Sequence, residues 1–183
     1  MKERPTSVVV FVLFLLASLW TVAEGGYIPN SNEPHFGDGH LHILNQKTGE
    51  ELNVIYRYPW GQYNQVKVEE IRNLLRCQLT GKISEIPVEL IEVVDQIQDH
   101  FNVPTVAVIS GYRSPRLNEM LRRQGRRAAK HSYHMKGLAI DLRLPGVKTR
   151  SLRDYARKLH VGGVGYYPQS RFVHVDLGPV RYW

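Results

Sequence analysis

Four side chains with metal-binding or proton-transfer chemistry fall in two short stretches of this sequence. In KHSYHMKGLAIDLR, His134 and Asp141 lie seven residues apart, and in FVHVDL, His174 and Asp176 lie two apart. Two neutral imidazoles and one carboxylate occupy three positions of a tetrahedral zinc ion and leave the fourth open, as catalytic zinc sites require. We therefore predict that His134, Asp141 and His174 bind one Zn²⁺ ion, which activates water for a hydrolytic reaction.

The segments around these residues have the two-residue period of β-strands. In GLAIDL the apolar side chains alternate with a face that carries Asp141, and in FVHVDL they alternate with His174 and Asp176. Each strand would bury its apolar face and present polar groups on the other. Gly137 permits a turn that a residue with a Cβ atom resists, so His134 can fold back beside Asp141.

The pattern S-x-H-x-x-G-x-A-x-D at residues 132–141, followed by His174 in an H-x-D strand, resembles the zinc peptidases of bacterial cell-wall metabolism. That family includes D-Ala-D-Ala carboxypeptidases, vancomycin-resistance dipeptidases and murein endopeptidases. The SGYRS segment at residues 110–114 is similar to the family's strand-end motif. The hairpin with KTGE and the segment HVDLGPVRYW most resemble the murein endopeptidase K branch.

The resemblance implies a zinc metallopeptidase that hydrolyses peptide cross-links of peptidoglycan on a hedgehog/DD-peptidase-like fold. It also implies that Arg113 stabilises the transition state, and that Ser132 and Tyr112, which belong to the two motifs, contact the substrate. A D,D- or L,D-carboxypeptidase or dipeptidase acting on stem peptides is an alternative within the enzyme class. A non-catalytic zinc-containing module that binds the wall, and a membrane-tethered scaffold, are alternatives outside it.

The resemblance does not supply the general base. Relatives place a glutamate three residues, or a histidine two residues, before the last histidine ligand, whereas this chain has Arg171 and Phe172 there. Asp176, on the same strand face as His174, is the first candidate, and His131 is the second. Asp176 can instead be the hydrogen-bond partner that fixes the tautomer of His174.

The first part of the chain predicts export to the periplasm or cell envelope. Val8 to Trp20 is almost entirely apolar but short for a spanning helix, which fits a signal peptide over residues 1–23. An uncleaved N-terminal anchor, and hence a membrane tether, is the alternative. Residues 24–38, rich in Gly, Pro and Asn, are predicted to be a linker, and residues 39–183 a single zinc peptidase domain.

Composition narrows the range of partners. The net charge is +7, but an exported chain without a nucleic-acid-binding motif is expected to meet peptidoglycan peptides and not nucleic acid. The single cysteine, Cys77, cannot form an internal disulfide and is predicted to be buried. His35, His40 and His42 are predicted to be surface or capping histidines. We expect a monomer.

The periodicity predicts both strands and helices. Strands are predicted at residues 40–45, 52–58, 105–110, 137–142, 163–167 and 171–177, and helices at 64–78, 88–100, from Ser114 onward, and at 152–159. Because short strands are interspersed with helices without a regular strand-helix-strand repeat, we predict an α+β domain with a largely antiparallel sheet flanked by helices.

Overall fold

The structure is a computed structural model that describes residues 37–126 and 128–183. The predicted signal peptide or anchor (residues 1–23), most of the predicted linker and His35 lie outside the described residues. Within the described ranges, none of the helices combines the length and the apolar character needed to cross a bilayer.

The described residues form strands and helices of the predicted α+β class. The strands are β1 (His40–Asn45), β2 (Glu51–Ile55), β3 (Val106–Ser110), β4 (Ala139–Arg143), β5 (Gly163–Tyr167), β6 (Phe172–Asp176) and β7 (Arg181–Tyr182). The α-helices are α1 (Gln65–Leu74), α2 (Val88–Phe101), α3 (Pro115–Arg123) and α4 (Thr149–Lys158), and a short 3₁₀ helix spans Tyr133–Lys136.

The strands form one mixed sheet in the order β2-β1-β3-β4-β6-β5-β7. The β1–β3 and β5–β7 pairs are parallel, and the other neighbouring pairs are antiparallel. At the centre of the sheet, Asp141 on β4 pairs with Ser110 on β3 and with His174 on β6, and His174 pairs with Gly165 on β5. Directly paired residues share a face, so this register places the four residues in one row across the sheet.

The opposite face of the sheet carries the hydrophobic core. Helices α1, α2 and α4 contribute buried apolar side chains to the same cluster as the inward residues of the strands. Ile140 and Val175 belong to this core, whereas their sequence neighbours Asp141 and His174 do not. The predicted division of both strands into an apolar and a polar face is confirmed, and the core supports the polar row from behind.

Two predicted elements end earlier than expected. Strand β2 ends at Ile55, because the backbone N–H groups of Tyr56 and Arg57 both turn to the carbonyl of Gly39. Helix α1 ends at Leu74, so Cys77 lies in the following loop, where its N–H bonds the carbonyl of Lys82 at 2.9 Å. Cys77 is fully buried, as predicted.

Helix α3 begins as its sequence predicts. The Oγ of Ser114 accepts a hydrogen bond from the N–H of Leu117 at 3.2 Å, and Pro115 occupies the first helical position. A capping hydroxyl followed by proline fixes the start of a helix. Arg113, the residue before the cap, is thereby held at the junction between β3 and α3.

A buried carboxylate on α2 ties the start of the described chain to the core. The Oδ2 atom of Asp95 accepts hydrogen bonds from the Tyr56 hydroxyl at 2.7 Å and the Gly39 N–H at 2.9 Å. Its Oδ1 atom has no hydrogen-bond partner among the described residues. Burial raises the pKa of Asp95 to about 7, although both hydrogen bonds act to lower it.

The raised pKa predicts a loss of stability with rising pH. An unfolded aspartate titrates near about 4, so between about pH 4 and pH 7 the folded state holds a proton that the unfolded state has released. The contribution of Asp95 to the free energy of unfolding therefore falls as pH rises through this window, by about 2 to 3 kcal/mol between pH 5 and pH 8. Urea denaturation of the wild type and of Asp95→Asn at the two pH values should show the variant gaining stability relative to the wild type; identical pH dependence would contradict the prediction.

Candidate metal centre

Three side chains from different elements meet on the polar face of the sheet. The Nε2 atom of His134 lies 3.1 Å from the Oδ1 atom of Asp141 and 3.1 Å from the Nδ1 atom of His174. The Nδ1 atom of His174 lies 2.8 Å from the same Asp141 oxygen. The three residues are buried, with side chains 2 to 9% exposed. The structure thus brings together the three residues predicted as metal ligands.

The short 3₁₀ helix supplies His134. The helix is stopped by Gly137, which adopts a left-handed φ of 70°. A Cβ atom at Gly137 would also lie 2.6 Å from the Ser84 hydroxyl, so both backbone and space favour glycine here. The carbonyl of His134 accepts the N–H of Arg113 at 3.1 Å. The predicted turn that folds His134 back beside Asp141 is confirmed.

The outer partners of both imidazoles fix their tautomers. The Nδ1 atom of His134 lies 2.8 Å from the carbonyl oxygen of Gly111, and the Nε2 atom of His174 lies 2.9 Å from an oxygen of Asp176. Because a carbonyl and a carboxylate oxygen only accept, each of these nitrogens carries the proton. In the neutral rings the lone pairs of His134 Nε2 and His174 Nδ1 then point at each other and at Asp141.

Three facing lone pairs require a cation between them, so the site fits a metal ion on its own geometry. A proton bound to one of the two imidazoles also reduces the repulsion among these atoms. Burial lowers the pKa of His174, but its hydrogen bonds to Asp141 and Asp176 outweigh burial, and the pKa is raised overall. For His134, burial dominates and lowers the pKa. Two neutral nitrogen donors and one carboxylate oxygen are a donor set that zinc accepts.

Arg113 fixes the orientation of the Asp141 carboxylate. Its Nη2 group donates to Asp141 Oδ2, and its Nε group donates to the Ser110 hydroxyl at 2.8 Å. The other oxygen, Oδ1, is left to face the two histidines. Burial would raise the pKa of Asp141, but the neighbouring His134, His174 and Arg113 lower it well below its ordinary value. Asp141 is therefore an anion at neutral pH.

Asp176 is surrounded by donors and has no exposed surface. Its oxygens accept from His174, from both terminal nitrogens of Arg181 at 2.7 and 3.1 Å, and from the N–H groups of Gly163 and Gly178 at 3.1 and 2.8 Å. Burial acts to raise the pKa of Asp176, but these hydrogen bonds lower it well below its ordinary value. This environment favours the second role considered for Asp176, fixing His174, over the role of general base.

A cavity of about 760 Å³ opens over the cluster. Among the residues predicted from sequence to act in the reaction, Arg113, His131 and Ser132 line this cavity. Tyr112 does not line it, so the predicted contact of Tyr112 with substrate has no support from the geometry. His131 is exposed and lines the same cavity as His134.

An aromatic wall, formed by Tyr167, Phe172 and Trp183, borders the cavity on the β5 and β6 side. The rings of Tyr167 and Phe172 stack at 4.4 Å, and the Trp183 ring lies 5.3 Å from the ring of His174. A Cβ atom at Gly165 would lie 2.7 Å from the Trp183 ring, so glycine is needed beneath the indole. The wall gives the cavity an apolar surface next to the metal-binding atoms.

Sequence reasoning missed Arg181 and left Trp183 undecided. Arg181 lines the cavity and pairs with Asp176, and its guanidinium lies 5.1 Å from the Trp183 ring. A buried aspartate without a charge partner is costly, so an arginine five residues after Asp176 is the signal that points to this pair. No comparable signal predicts that Trp183 packs over Gly165.

The remaining acidic and histidine groups do not form a second zinc-type site in the described chain. Asp38, Asp95 and Asp99 have carboxylate oxygens close together, but they include no nitrogen donor and two of the three are exposed. His40 pairs with Asn53, and His42 pairs with Glu51 at 2.7 Å. The prediction that these two histidines are not part of the cluster agrees with their positions.

The surroundings of Asp176 predict a measurable effect on metal affinity. Asp176→Asn removes the charge that orients His174 and should weaken zinc binding by about 10- to 100-fold. Competition with a chromophoric chelator measures the change, with Asp154→Asn, at an exposed aspartate paired with Arg153, as the control. Thermal unfolding of both variants without zinc checks that the fold is intact. Unchanged zinc affinity in a folded Asp176→Asn protein would contradict the role of Asp176.

Comparison with known proteins identifies the family. Residues 33–183 match the family described as peptidoglycan L,D-endopeptidase MepK. The chain is 40% identical over 145 residues to the Haemophilus influenzae protein named "Probable peptidoglycan L,D-endopeptidase MepK", covering 78% of this chain and 77% of that protein. It is 36% identical over 144 residues to the Escherichia coli K12 protein "Peptidoglycan L,D-endopeptidase MepK", covering 78% and 79%. No solved structure matches significantly. The resemblance predicted from the motifs is confirmed, and the chain belongs to the MepK family of peptidoglycan L,D-endopeptidases.

Proposed function

We propose that this chain is a zinc-dependent L,D-endopeptidase that hydrolyses peptide cross-links of peptidoglycan. Membership of the MepK family supports the peptidase activity and the substrate class. The observation that carries the zinc dependence is the mutual approach, at 2.8 to 3.1 Å, of a lone-pair atom from each of His134, Asp141 and His174. These three residues, which line the cavity, would hold one zinc ion where a substrate in the cavity could reach it.

The bound zinc would supply a Lewis acid that lowers the pKa of water and polarises a carbonyl group. The chain's own groups then have separate tasks. Arg113 keeps Asp141 oriented and, with its remaining N–H groups, can donate to negative charge that develops on the substrate carbonyl oxygen. Asp176 holds the His174 tautomer through the hydrogen bond to Nε2.

We propose His131 as the group that accepts the proton of the attacking water. It lines the cavity over the cluster, and it makes no hydrogen bond to the three cluster residues within the described chain. An imidazole is the side chain most often used for proton transfer in enzymes. The alternative base, Asp176, is enclosed by donors on both oxygens.

The site leaves room for substrate on both sides of the cluster. A second cavity, of about 370 Å³, adjoins the first, and the two share Arg113 and Asp141 as lining residues. A substrate chain can therefore extend to both sides of the cluster. Membership of the MepK family favours endopeptidase action over carboxypeptidase or dipeptidase action.

For the whole chain we propose export to the periplasm or cell envelope, where peptidoglycan is found. Residues 1–23 would be the signal peptide or anchor, residues 24–38 a linker, and residues 39–183 the catalytic domain. The proposed partners are peptidoglycan peptides and not nucleic acid, with the protein acting as a monomer.

Removal of one ligand tests the zinc-dependent activity. His134→Ala should abolish both zinc binding and the cleavage of defined cross-linked muropeptides, because it deletes one of three donors. Metal content of the purified protein and mass analysis of the products measure the two effects. His40→Ala, the same change at an exposed histidine outside the cluster, should bind zinc and cleave like the wild type. Cleavage that survives in His134→Ala, or after chelation of the wild type, would rule out the proposed zinc-dependent mechanism. A wild type that binds zinc but cleaves no muropeptide would indicate a wall-binding module instead.

Substitution of His131 tests the proton transfer separately. His131→Gln should lower kcat by about 10²- to 10⁴-fold while leaving zinc affinity unchanged, because His131 is not a metal ligand. Steady-state kinetics on one cross-linked muropeptide, combined with chelator competition, distinguishes the two quantities. The control is His40→Gln. A kcat within twofold of the wild type would show that another group accepts the proton.

A further inference from the structure

The second cavity combines an apolar floor with a positively charged rim. It lies between α3, the turn that joins β1 to β2, and the end of β3, and it meets the first cavity at Arg113 and Asp141. Leu117, Leu121 and Phe172 are among its apolar lining residues. Its basic lining residues are Lys47, Arg113 and Arg126.

The positive charges of the rim are not balanced by the protein. Asp141 is the sole acid among the lining residues, and its oxygens face Arg113 on one side and the two histidines on the other. In the described part of the chain, neither Lys47 nor Arg126 forms an ion pair with a carboxylate. By contrast, Arg76 pairs at 2.8 Å with Glu50, which lies in the same turn between β1 and β2 as Lys47. Burial, followed by the charges of Arg113 and Arg126, lowers the pKa of Lys47, so the three cations are close enough to repel one another.

Lys47 lies on a turn whose backbone is fixed by hydrogen bonds. The side-chain oxygen of Asn45, a buried residue, accepts the N–H groups of Lys47 at 3.1 Å and Thr48 at 3.4 Å. The side-chain amide of Asn45 donates to the carbonyl of Leu74 at 2.9 Å. The backbone N–H of Gln46 donates to the carbonyl of Val108 on β3 at 3.0 Å. These hydrogen bonds fix the backbone of the turn to the strand that leads to Arg113, which places Lys47 beside the cavity.

Unbalanced cations at the rim of an apolar pocket attract an anion with an aliphatic stem. Lysine and arginine form charge-assisted hydrogen bonds with carboxylates, and the pocket floor accommodates methylene groups. The pocket opens beside the metal-binding atoms, so a carboxylate bound there belongs to a residue next to the cleaved bond. We propose that Lys47 and Arg126 form a carboxylate-binding subsite, which selects cross-linked peptides that carry a free carboxylate beside the scissile bond. The proposal rests on the proposed endopeptidase function.

A matched pair of substrates tests the subsite. One is a synthetic cross-linked peptide with a free carboxylate beside the scissile bond, and the other is the same peptide with that carboxylate converted to a primary amide. The zinc-loaded wild type should cleave the acid with kcat/KM about tenfold or more above that of the amide, because one charge-assisted hydrogen bond contributes at least about 1.4 kcal/mol. The difference should appear in KM and not in kcat.

Variants that lack the two cations test whether the preference for the acid comes from Lys47 and Arg126. The Lys47→Met and Arg126→Gln double variant should lose about tenfold or more in kcat/KM on the acid and nothing on the amide, which abolishes the discrimination. Lys82→Met, at an exposed lysine outside the cavity, should behave like the wild type. Equal cleavage of acid and amide by the wild type, or an equal loss on both substrates in the double variant, would overturn the subsite.

Binding measurements separate failure of the subsite from failure of the proposed function. Calorimetric titration uses the zinc-loaded wild type and double variant with versions of both peptides whose scissile amide is replaced by a non-hydrolysable reduced amide. The acid should bind more tightly than the amide to the wild type, and the two should bind equally to the double variant. If the zinc-loaded wild type cleaves neither peptide, the endopeptidase function is wrong, and the titration still decides the subsite. Equal affinity of the wild type for both peptides would overturn the carboxylate-binding subsite.

Discussion

The main constraint on this structure is that three atoms with lone pairs must be kept close together in a buried site. Atoms from His134, Asp141 and His174 lie 2.8 to 3.1 Å apart, and their side chains are 2 to 9% exposed. Without a cation, such an arrangement is repulsive and lacks the solvation that water would provide. It exists because each donor is also held from outside: the Gly111 carbonyl fixes one ring, Asp176 fixes the other, and Arg113 fixes the carboxylate.

The sheet makes this arrangement possible. The antiparallel register of β4 and β6 pairs Asp141 directly with His174, and the core on the opposite face prevents the two strands from slipping. A shift by one residue would turn both side chains into the core, which makes the register strongly specified. The same row continues to Ser110, which supports Arg113, and to Gly165, which leaves room for Trp183. The pairings of β3 with β4, β4 with β6 and β6 with β5 therefore place Asp141, His174 and the supports of the arginine and the indole in one row.

Much of the site could be predicted from sequence because its signals are local. The alternation in GLAIDL and FVHVDL identifies which face carries Asp141 and His174, and Gly137 indicates where the chain turns. Other features depend on which distant segments become neighbours, which periodicity does not reveal. The parallel pairing of β1 with β3 brings Lys47 next to Arg113, and the turn after β6 brings Arg181 to Asp176. The role of Asp176 was ambiguous in sequence because its burial and its donors are properties of the folded chain.

Zinc binding by His134, Asp141 and His174 is tested by a crystal structure of the zinc-replete protein, with anomalous data collected on both sides of the zinc absorption edge. We expect one anomalous peak, at about 2.0 to 2.2 Å from the Nε2 atom of His134, the Nδ1 atom of His174 and the Oδ1 atom of Asp141. A peak elsewhere, such as between Asp38, Asp95 and Asp99, with none between these three atoms would contradict this expectation.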